Sequence, residues 1–200
     1  MTERWNYVQN PKFDANITDS WLGSADKERI TEPPVAFPLS FTACLHFGWS
    51  TGTTGEKYGT VGSLFTPDKD YVVLSYYGLT NDTGTDADIE WHDGETDWQR
   101  LAYVTHVDND YASWQRYTCY GATPATATHI RMGFHTIYTD LGSNAPYVTG
   151  LLLEQSDVTT PSDYADGDTE DWHWEGAAEN SVSHTPGPTT FMQPKWLGIW

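Results

Sequence analysis

The chain has 200 residues, a length that fits one domain or one domain followed by a tail. With 28 acidic and 10 basic residues, its formal net charge is -18. This argues against nucleic acid as a partner, because phosphate binding requires a basic surface. No run approaches the roughly 18 apolar residues of a membrane span, and the N-terminus lacks a signal-peptide pattern.

Strand-like runs recur along the chain, and no long window carries the apolar stripe of an amphipathic helix. A single short helical turn is predicted over residues 24–29. Gly, Pro, Asn and Asp cluster between the runs, which is typical of turns joining short strands. The pattern predicts an all-β jelly-roll sandwich, with strands at 6–8, 35–41, 44–49, 59–65, 71–79, 87–91, 99–107, 114–120, 128–138 and 147–154.

The composition changes after residue 155. Nine acids lie between Glu154 and Glu179, and no Lys or Arg occurs between Arg131 and Lys195. Large aromatic residues continue to the C-terminus, and a disordered tail rarely retains so many without a surface to bury them. We therefore predict a jelly-roll domain over residues 1–155 and an acidic, mostly irregular arm over residues 156–200. The arm packs either on the sandwich or on a neighbouring protein.

Two cysteines, Cys44 and Cys119, lie within strand-like apolar runs. Two are too few for a disulfide framework, so we expect two buried thiols. A bridge would require the fold to bring their strands together.

Several segments resemble the minor tail proteins of long-tailed phages that infect actinobacteria. Those proteins contain a jelly-roll domain similar to carbohydrate-binding modules. The opening Asn10-Pro11-Lys12-Phe13-Asp14, the hairpin-like stretch 114–131 and the closing strand 147–154 resemble that domain. The segment Tyr164-Ala165-Asp166-Gly167-Asp168, with Trp174 and Gly176 following, resembles the end of the family's domain.

The resemblance implies a non-enzymatic structural protein of a virion tail tip or baseplate. It would be made in the host cytoplasm, be present in several copies, contact other tail proteins and touch host-surface glycans. The alternative is a carbohydrate-binding module of a host-recognition protein or of a secreted glycan-active enzyme. Because sugar rings stack on Trp and Tyr faces, the candidate glycan-binding residues are Trp49, Tyr76, Trp91 and Trp98; core or interface packing is the competing interpretation.

The arm contributes a second set of candidate residues, expected to dock onto the virion or a sister subunit. They are Asp166, Asp168, Trp172, Trp174, Trp196 and Trp200. The Asp166-Gly167-Asp168 stretch lacks EF-hand spacing and is better explained as a turn whose carboxylates bind backbone amides.

No cofactor is predicted. In the resembling family, members with a structural Ca²⁺ supply one acid after the first Phe and another at the closing strand. Asp14 matches the first position, but Thr149-Gly150 occupies the second, leaving backbone carbonyls as the other ligands. Glu90 and Asp93 beside tryptophans suggest a glycosidase cleft, but acids are frequent enough here for such pairs to arise by chance. The histidines show no metal-binding spacing.

Overall fold

The computed structural model describes residues 4–8, 11–13, 21–23, 25–49, 55–59, 69–81, 84–95, 97–136, 145–166, 168–174 and 183–185. All the regular structure in these ranges is β-strand. The strands are β1 (Trp5–Asn6), β2 (Trp21–Gly23), β3 (Ala25–Ile30), β4 (Cys44–Trp49), β5 (Gly55–Gly59), β6 (Tyr71–Leu79), β7 (Thr85–His92), β8 (Gln99–Thr105), β9 (Gln115–Ala122), β10 (His129–Thr136), β11 (Tyr147–Ser156), β12 (His173–Trp174) and β13 (Ser183–His184).

Two five-stranded antiparallel sheets form the sandwich. Sheet I has the order β3-β4-β11-β6-β9, and sheet II has the order β2-β5-β10-β7-β8. Strands close in sequence repeatedly fall in different sheets, as in a jelly roll. A small third sheet, β1-β13-β12, joins the N-terminal strand to the arm. No helix in the described ranges is long and apolar enough to cross a membrane.

The core lies between the inner faces of sheets I and II. Alternate residues of each strand point inward, as the period-two patterns of β6 and β10 predict. Phe134 of β10 packs against Tyr76 of β6 and Phe47 of β4, with ring centroids 5.1 and 5.2 Å apart. Burial of these aromatic rings compensates for the modest apolar content of the chain.

Two sequence predictions of local structure are wrong. The helical turn expected over residues 24–29 is strand from residue 25, because β3 pairs along its whole length with β4. The strand expected at 35–41 is irregular. There Phe37 stacks on Trp114, whose Nε1 donates to the Val35 carbonyl at 3.3 Å. Side-chain contacts, rather than a ladder of backbone hydrogen bonds to a neighbouring strand, therefore hold this segment. Of the strand expected at 59–65, only Gly59 falls within the described residues.

Both cysteines are buried free thiols, as expected. Cys44 lies in β4 and Cys119 in β9 of the same sheet, with β11 and β6 between them. Three strand spacings amount to about 14 Å, well beyond the reach of a disulfide. Burial raises the pKa of each thiol to about 12, which keeps both protonated.

The outer face of sheet I is buried at its strands β6 and β11, where the chain that follows β11 packs on it. Val73, Leu152 and Glu154 point away from the core, yet each is at most 2% exposed. Glu154 accepts hydrogen bonds from the backbone N and the Oγ of Ser162, at 2.7 and 2.9 Å. The described arm residues therefore pack on the sandwich itself. The predicted domain boundary after residue 155 falls within β11 and stays a prediction.

Candidate functional site

The outer face of sheet II carries a cluster of charged side chains. In β7 and β10 the apolar residues point inward, so Asp88, Glu90, Arg131 and His135 alternate with them on the outer face. Arg100 of β8 joins them, since it pairs with Glu90 in the strand register. We call these five residues the polar face. Strand alternation places them on one face, and the sheet order β10-β7-β8 brings them together from three adjacent strands.

Two buried carboxylates hold the cations of the polar face in place. Asp88 Oδ2 accepts from Arg100 Nε at 2.9 Å and also lies 2.9 Å from His135 Nε2. Glu90 Oε2 lies 2.6 Å from both Nε and a terminal nitrogen of Arg131. Asp88 has no exposed side-chain area and Glu90 has little, whereas the Arg100 side chain is 47% exposed. The carboxylates therefore position N–H donors that solvent or a ligand can reach.

The charge state of the cluster follows from its burial. Burial raises the pKa of Glu90, and the hydrogen bond and positive charge of Arg131 only partly oppose that rise. For Arg100, burial acts to lower the pKa, but the charge and hydrogen bond of Asp88 outweigh it and the pKa is raised. Arg100 thus remains a cation at any physiological pH. The two arginine–carboxylate pairs cancel in charge, in contrast to the excess acid of the whole chain.

Aromatic rings border the polar face. The Arg131 guanidinium lies over the Trp98 ring, 4.1 Å from its centroid, and His92 approaches the same ring at 5.3 Å. Tyr103, which pairs with Asp88 in the strand register, is 60% exposed. The Arg100 guanidinium lies 5.7 Å from the Tyr103 ring centroid. The surface therefore combines fixed hydrogen-bond donors with flat apolar rings.

One polar atom in the cluster lacks a partner. Asp88 Oδ1 is buried and receives no hydrogen bond from the residues that the structure describes. Across the ladder from Asp88, β10 carries Gly133 between Arg131 and His135, so no side chain separates these two residues along that face of the strand. Because Gly133 has no side chain, the surface at the centre of the polar face lies lower than its surroundings.

The four predicted glycan-binding residues divide between different environments. Tyr76 is fully buried among core rings and its hydroxyl is 2.6 Å from His106 Nε2, so it has no free face and is excluded from a binding surface. Trp91 packs half-buried against the core. Trp98 borders the polar face, where its ring lies against Arg131. The backbone of Trp49 ends β4, and its side chain lies outside the described residues.

Sequence reasoning missed most of the polar face. Arg100, His135 and the neighbouring Tyr103 are not among the residues predicted from the sequence, and the sequence suggests Glu90 only as half of a carboxylate pair with Asp93 that chance can explain. In the structure Glu90 binds Arg131, and Asp93 Oδ1 accepts from the backbone N of Glu95 at 2.9 Å. The sequence signal that identifies these residues is the alternation of charged with apolar residues along β7 and β10, two strands that pair with each other.

The predicted arm residues contact the N-terminal part of the chain. Asp166 is buried and shapes a turn: its Oδ1 accepts from the Asp168 backbone N at 3.0 Å, and its Oδ2 accepts from Tyr164 at 2.6 Å. Lys12 Nζ lies 3.1 Å from Asp166 Oδ2 and 2.8 Å from Asp168 Oδ2. The turn expected from the sequence is therefore present.

The tryptophans of the arm continue this contact. Trp172 is buried beneath the Arg4 guanidinium, which lies 5.1 Å from its ring centroid. Trp174 Nε1 donates to Asp168 Oδ1 at 3.1 Å. Trp196 and Trp200, predicted to dock the arm elsewhere, lie outside the described residues.

The described residues contain no group of three or more His, Cys, Asp or Glu side chains arranged to hold a metal ion. Asp14, the predicted calcium ligand, lies outside these residues. At the second family position, Thr149 Oγ1 donates to the Ala43 carbonyl at 2.8 Å, so that hydroxyl is engaged in packing.

Neither a protein-family model nor a curated protein matches the sequence. Solved structures share its fold. The enzymatically active domain of tailspike protein 4 from bacteriophage CBA120 superposes with a TM-score of 0.59 at 15% identity, over 74% of this chain and 21% of that chain. The module TmCBM61, solved with β-1,4-galactotriose, gives 0.54 at 13% identity, over 76% of this chain and 99% of its own.

A xylan-binding domain from CBM 22 gives a TM-score of 0.51 at 12% identity, over 78% of this chain and 98% of that domain. At these identities the likeness concerns the fold alone. The chain therefore has the jelly-roll β-sandwich of carbohydrate-binding modules, as the sequence predicted. It spans about a fifth of the tailspike chain, so the activity of that whole protein is not carried over.

Proposed function

We propose that this protein binds a glycan on the polar face without transforming it. The observation that carries the proposal is the pair of arginines, Arg100 and Arg131, whose N–H donors are held by buried carboxylates beside the rings of Trp98 and Tyr103. A sugar offers hydroxyl oxygens to such donors and an apolar C–H face to such rings. Preorganised donors also reduce the ordering cost of binding.

Two further observations favour a glycan over other ligands. The balanced ion pairs leave no net positive charge to attract phosphate, which suits a neutral, hydroxyl-rich ligand. The arm packs on β6 and β11 at the outer face of sheet I, whereas Arg100 and Tyr103 on the outer face of sheet II are exposed to a ligand. Proteins of the same fold bind β-1,4-galactotriose and xylan, which supports the ligand class but not the individual sugar.

The glycan proposal is tested by glycan-array binding followed by titration calorimetry on Trp98→Ala and Arg100→Ala. We expect each substitution to weaken affinity about tenfold, because a stacked ring or charged hydrogen bond contributes roughly 1–2 kcal/mol. Leu39→Ala, which removes an exposed apolar side chain from another loop, is the matched control and should bind as the unchanged protein does. Absence of any glycan ligand, or unchanged affinity in both variants, would contradict the proposal.

A second proposal concerns where the binding occurs. The phage-like terminal motif and the fold likeness to a phage tailspike domain favour a virion tail protein that contacts host-surface glycans. Several copies in one virion would turn weak single contacts into firm attachment through avidity. In this role the polar face recognises the host, and Trp196 and Trp200 attach the protein to other tail components.

The tail proposal predicts association with products of neighbouring genes. Co-expression and size-exclusion chromatography with light scattering should detect a homo-oligomer or a complex, and the double variant Trp196→Ala/Trp200→Ala should lose it. Trp98→Ala should keep it, because Trp98 borders the polar face and is not part of the arm. A chain that stays monomeric and binds none of these products would refute the proposal.

A further inference from the structure

A groove of about 520 Å³ lies where the edges of the two sheets meet. Its walls come from edge strand β8 of sheet II, edge strand β9 of sheet I and the segment after β11. The lining side chains are Tyr103, Thr118, Tyr120, Thr159, Thr160 and Pro161, with Cys119 among them. The volume falls within the range of about 300–1,000 Å³ common for small-molecule sites.

Two tyrosines present unusually large exposed areas at this groove. Tyr103 is 60% exposed and Tyr120 is 52% exposed, although each ring could bury substantial apolar area. Tyr71 contacts the Tyr120 ring edge-on, with centroids 5.9 Å apart, and so supports it from the neighbouring strand β6. The Tyr120 ring is therefore held in place, and both rings are available to an external partner.

The groove is uncharged. In a chain with 28 acidic residues, its lining contains no Asp, Glu, Lys, Arg or His. Burial raises the pKa of Cys119 to about 12, so this thiol is neutral as well. Three threonines instead supply hydroxyl groups, which both donate and accept hydrogen bonds. A neutral ligand rich in hydroxyl groups matches this lining better than a peptide segment with charged ends or side chains.

Tyr103 also connects the groove to the polar face. It points outward opposite Asp88 in the strand register and lines the groove as well. Strands β10 and β8 are two strand spacings apart, about 10 Å, so the polar face and the groove are adjacent. A linear ligand can cross from one to the other over β8.

We infer that this edge groove is a second glycan subsite, which binds the continuation of a neutral linear polysaccharide held on the polar face. The inference rests on the proposed function and extends it from a single sugar-binding surface to recognition of an extended chain. Tyr103 is shared by both subsites, Tyr120 contacts only the further sugars, and the threonines hydrogen-bond their hydroxyl groups.

The test compares trisaccharides with hexasaccharides in titration calorimetry, using β-1,4-linked galactose and β-1,4-linked xylose oligosaccharides as probes. For the unchanged protein, we expect tighter binding of the hexasaccharide. Tyr120→Ala should weaken hexasaccharide binding about fivefold and leave trisaccharide binding unchanged. Tyr120→Phe keeps the ring and should bind as the unchanged protein does, and Val158→Ala removes a nearby exposed apolar side chain as a control.

The outcomes separate this inference from the proposed function. If Trp98→Ala weakens binding but Tyr120→Ala does not affect either length, the groove is no subsite and the polar-face proposal stands. If Tyr120→Ala weakens trisaccharides and hexasaccharides equally, the two surfaces are not consecutive subsites and the inference is overturned. If neither oligosaccharide series binds, the inference falls, whatever the glycan array shows for the polar face.

Discussion

At the scale of single residues, His106 is a buried histidine with a hydrogen-bond partner at only one of its ring nitrogens among the described residues. It is 1% exposed, and its Nε2 lies 2.6 Å from the hydroxyl of the fully buried Tyr76. Its Nδ1 has no hydrogen-bond partner among the described residues. Burial lowers the pKa of His106 from 6.5 to about 3, because a cation there would lose its hydration without gaining a second acceptor.

This burial predicts a pH-dependent stability. Between about pH 6.5 and pH 3 the unfolded chain binds a proton at His106 that the folded chain does not, so the free energy of unfolding falls as the pH decreases. From about pH 7.5 to about pH 5, His106 should account for a loss of about 2 kcal/mol. Over this pH range the free energy of unfolding of His106→Gln, measured by urea unfolding, should fall by about 2 kcal/mol less than that of the unchanged protein.

The control for this effect is His173→Gln, since His173 is exposed and remains hydrated on folding. Equal pH dependence in His106→Gln and the unchanged protein would mean that His106 has the same pKa in the folded and unfolded chains, which contradicts this account.

At the scale of a single element, the central strand β11 contains a β-bulge on which an aromatic ring packs. Its register against β6 shifts between Thr149 and Leu152, which marks a β-bulge. Gly150 lies within the shift at a φ of 61°, a conformation that favours glycine. A Cβ on Gly150 would approach Phe41 Cζ at 2.4 Å, so the aromatic ring packs directly on the bulged backbone.

Gly150→Ala should therefore be strongly destabilising. The left-handed backbone costs about 1 kcal/mol for alanine, and the clash with buried Phe41 adds about 2 kcal/mol. Gly94→Ala is the matched control, because Gly94 also has a positive φ of 95° but the nearest atom to its added Cβ is 3.7 Å away. Chemical denaturation should give a loss near 3 kcal/mol for Gly150→Ala and near 1 kcal/mol for Gly94→Ala. Equal losses would show that Phe41 moves aside.

At the scale of the whole molecule, the arm packs on the outer face of sheet I, whereas Arg100 and Tyr103 are exposed on the outer face of sheet II. The N-terminal strand takes part in this closure: Asn6 Nδ2 donates to the carbonyls of Leu151 and Ala165, at 2.9 and 3.1 Å. Arg4 lies 3.5 Å from Glu154, and the backbone N of Thr185 donates to the Arg4 carbonyl at 2.9 Å. The N-terminal strand and the described part of the arm thus pack together on the sandwich.

Deleting residues 157–200 should consequently destabilise the sandwich. The buried side chains of Val73 and Leu152 would become exposed, at a cost of about 2 kcal/mol each. Glu154 would also lose the two hydrogen bonds that Ser162 donates to it. Ser162→Ala, which removes only one hydroxyl hydrogen bond, should cost about 1 kcal/mol. Lys69→Ala breaks an exposed ion pair with Asp157 and should change stability by less than about 0.5 kcal/mol. Urea midpoints equal for the deleted and full chains would contradict this account.

Local pattern was enough to predict most of the fold. Period-two alternation located β4 and β6 at their observed bounds and gave the approximate positions of β7 to β11. Patterns failed where tertiary contacts override local preference. The charged run Ala25–Ile30 is strand because it pairs with β4, and the apolar run at 35–41 is irregular because its side chains pack on Trp114. The Asp166 turn was predictable because an Asp side chain binds backbone amides only two residues away.

The sequence by itself thus determined the all-β class, the buried thiols and the acidic arm, since each depends on the spacing or chemistry of neighbouring residues. The tertiary structure decided which aromatic residues face solvent, because inward and outward positions differ by one residue in a strand. It moved Tyr76 into the core and left Trp98 beside Arg131. It also assembled Asp88, Arg100 and His135 from three strands, a proximity created by sheet order rather than by distance along the chain.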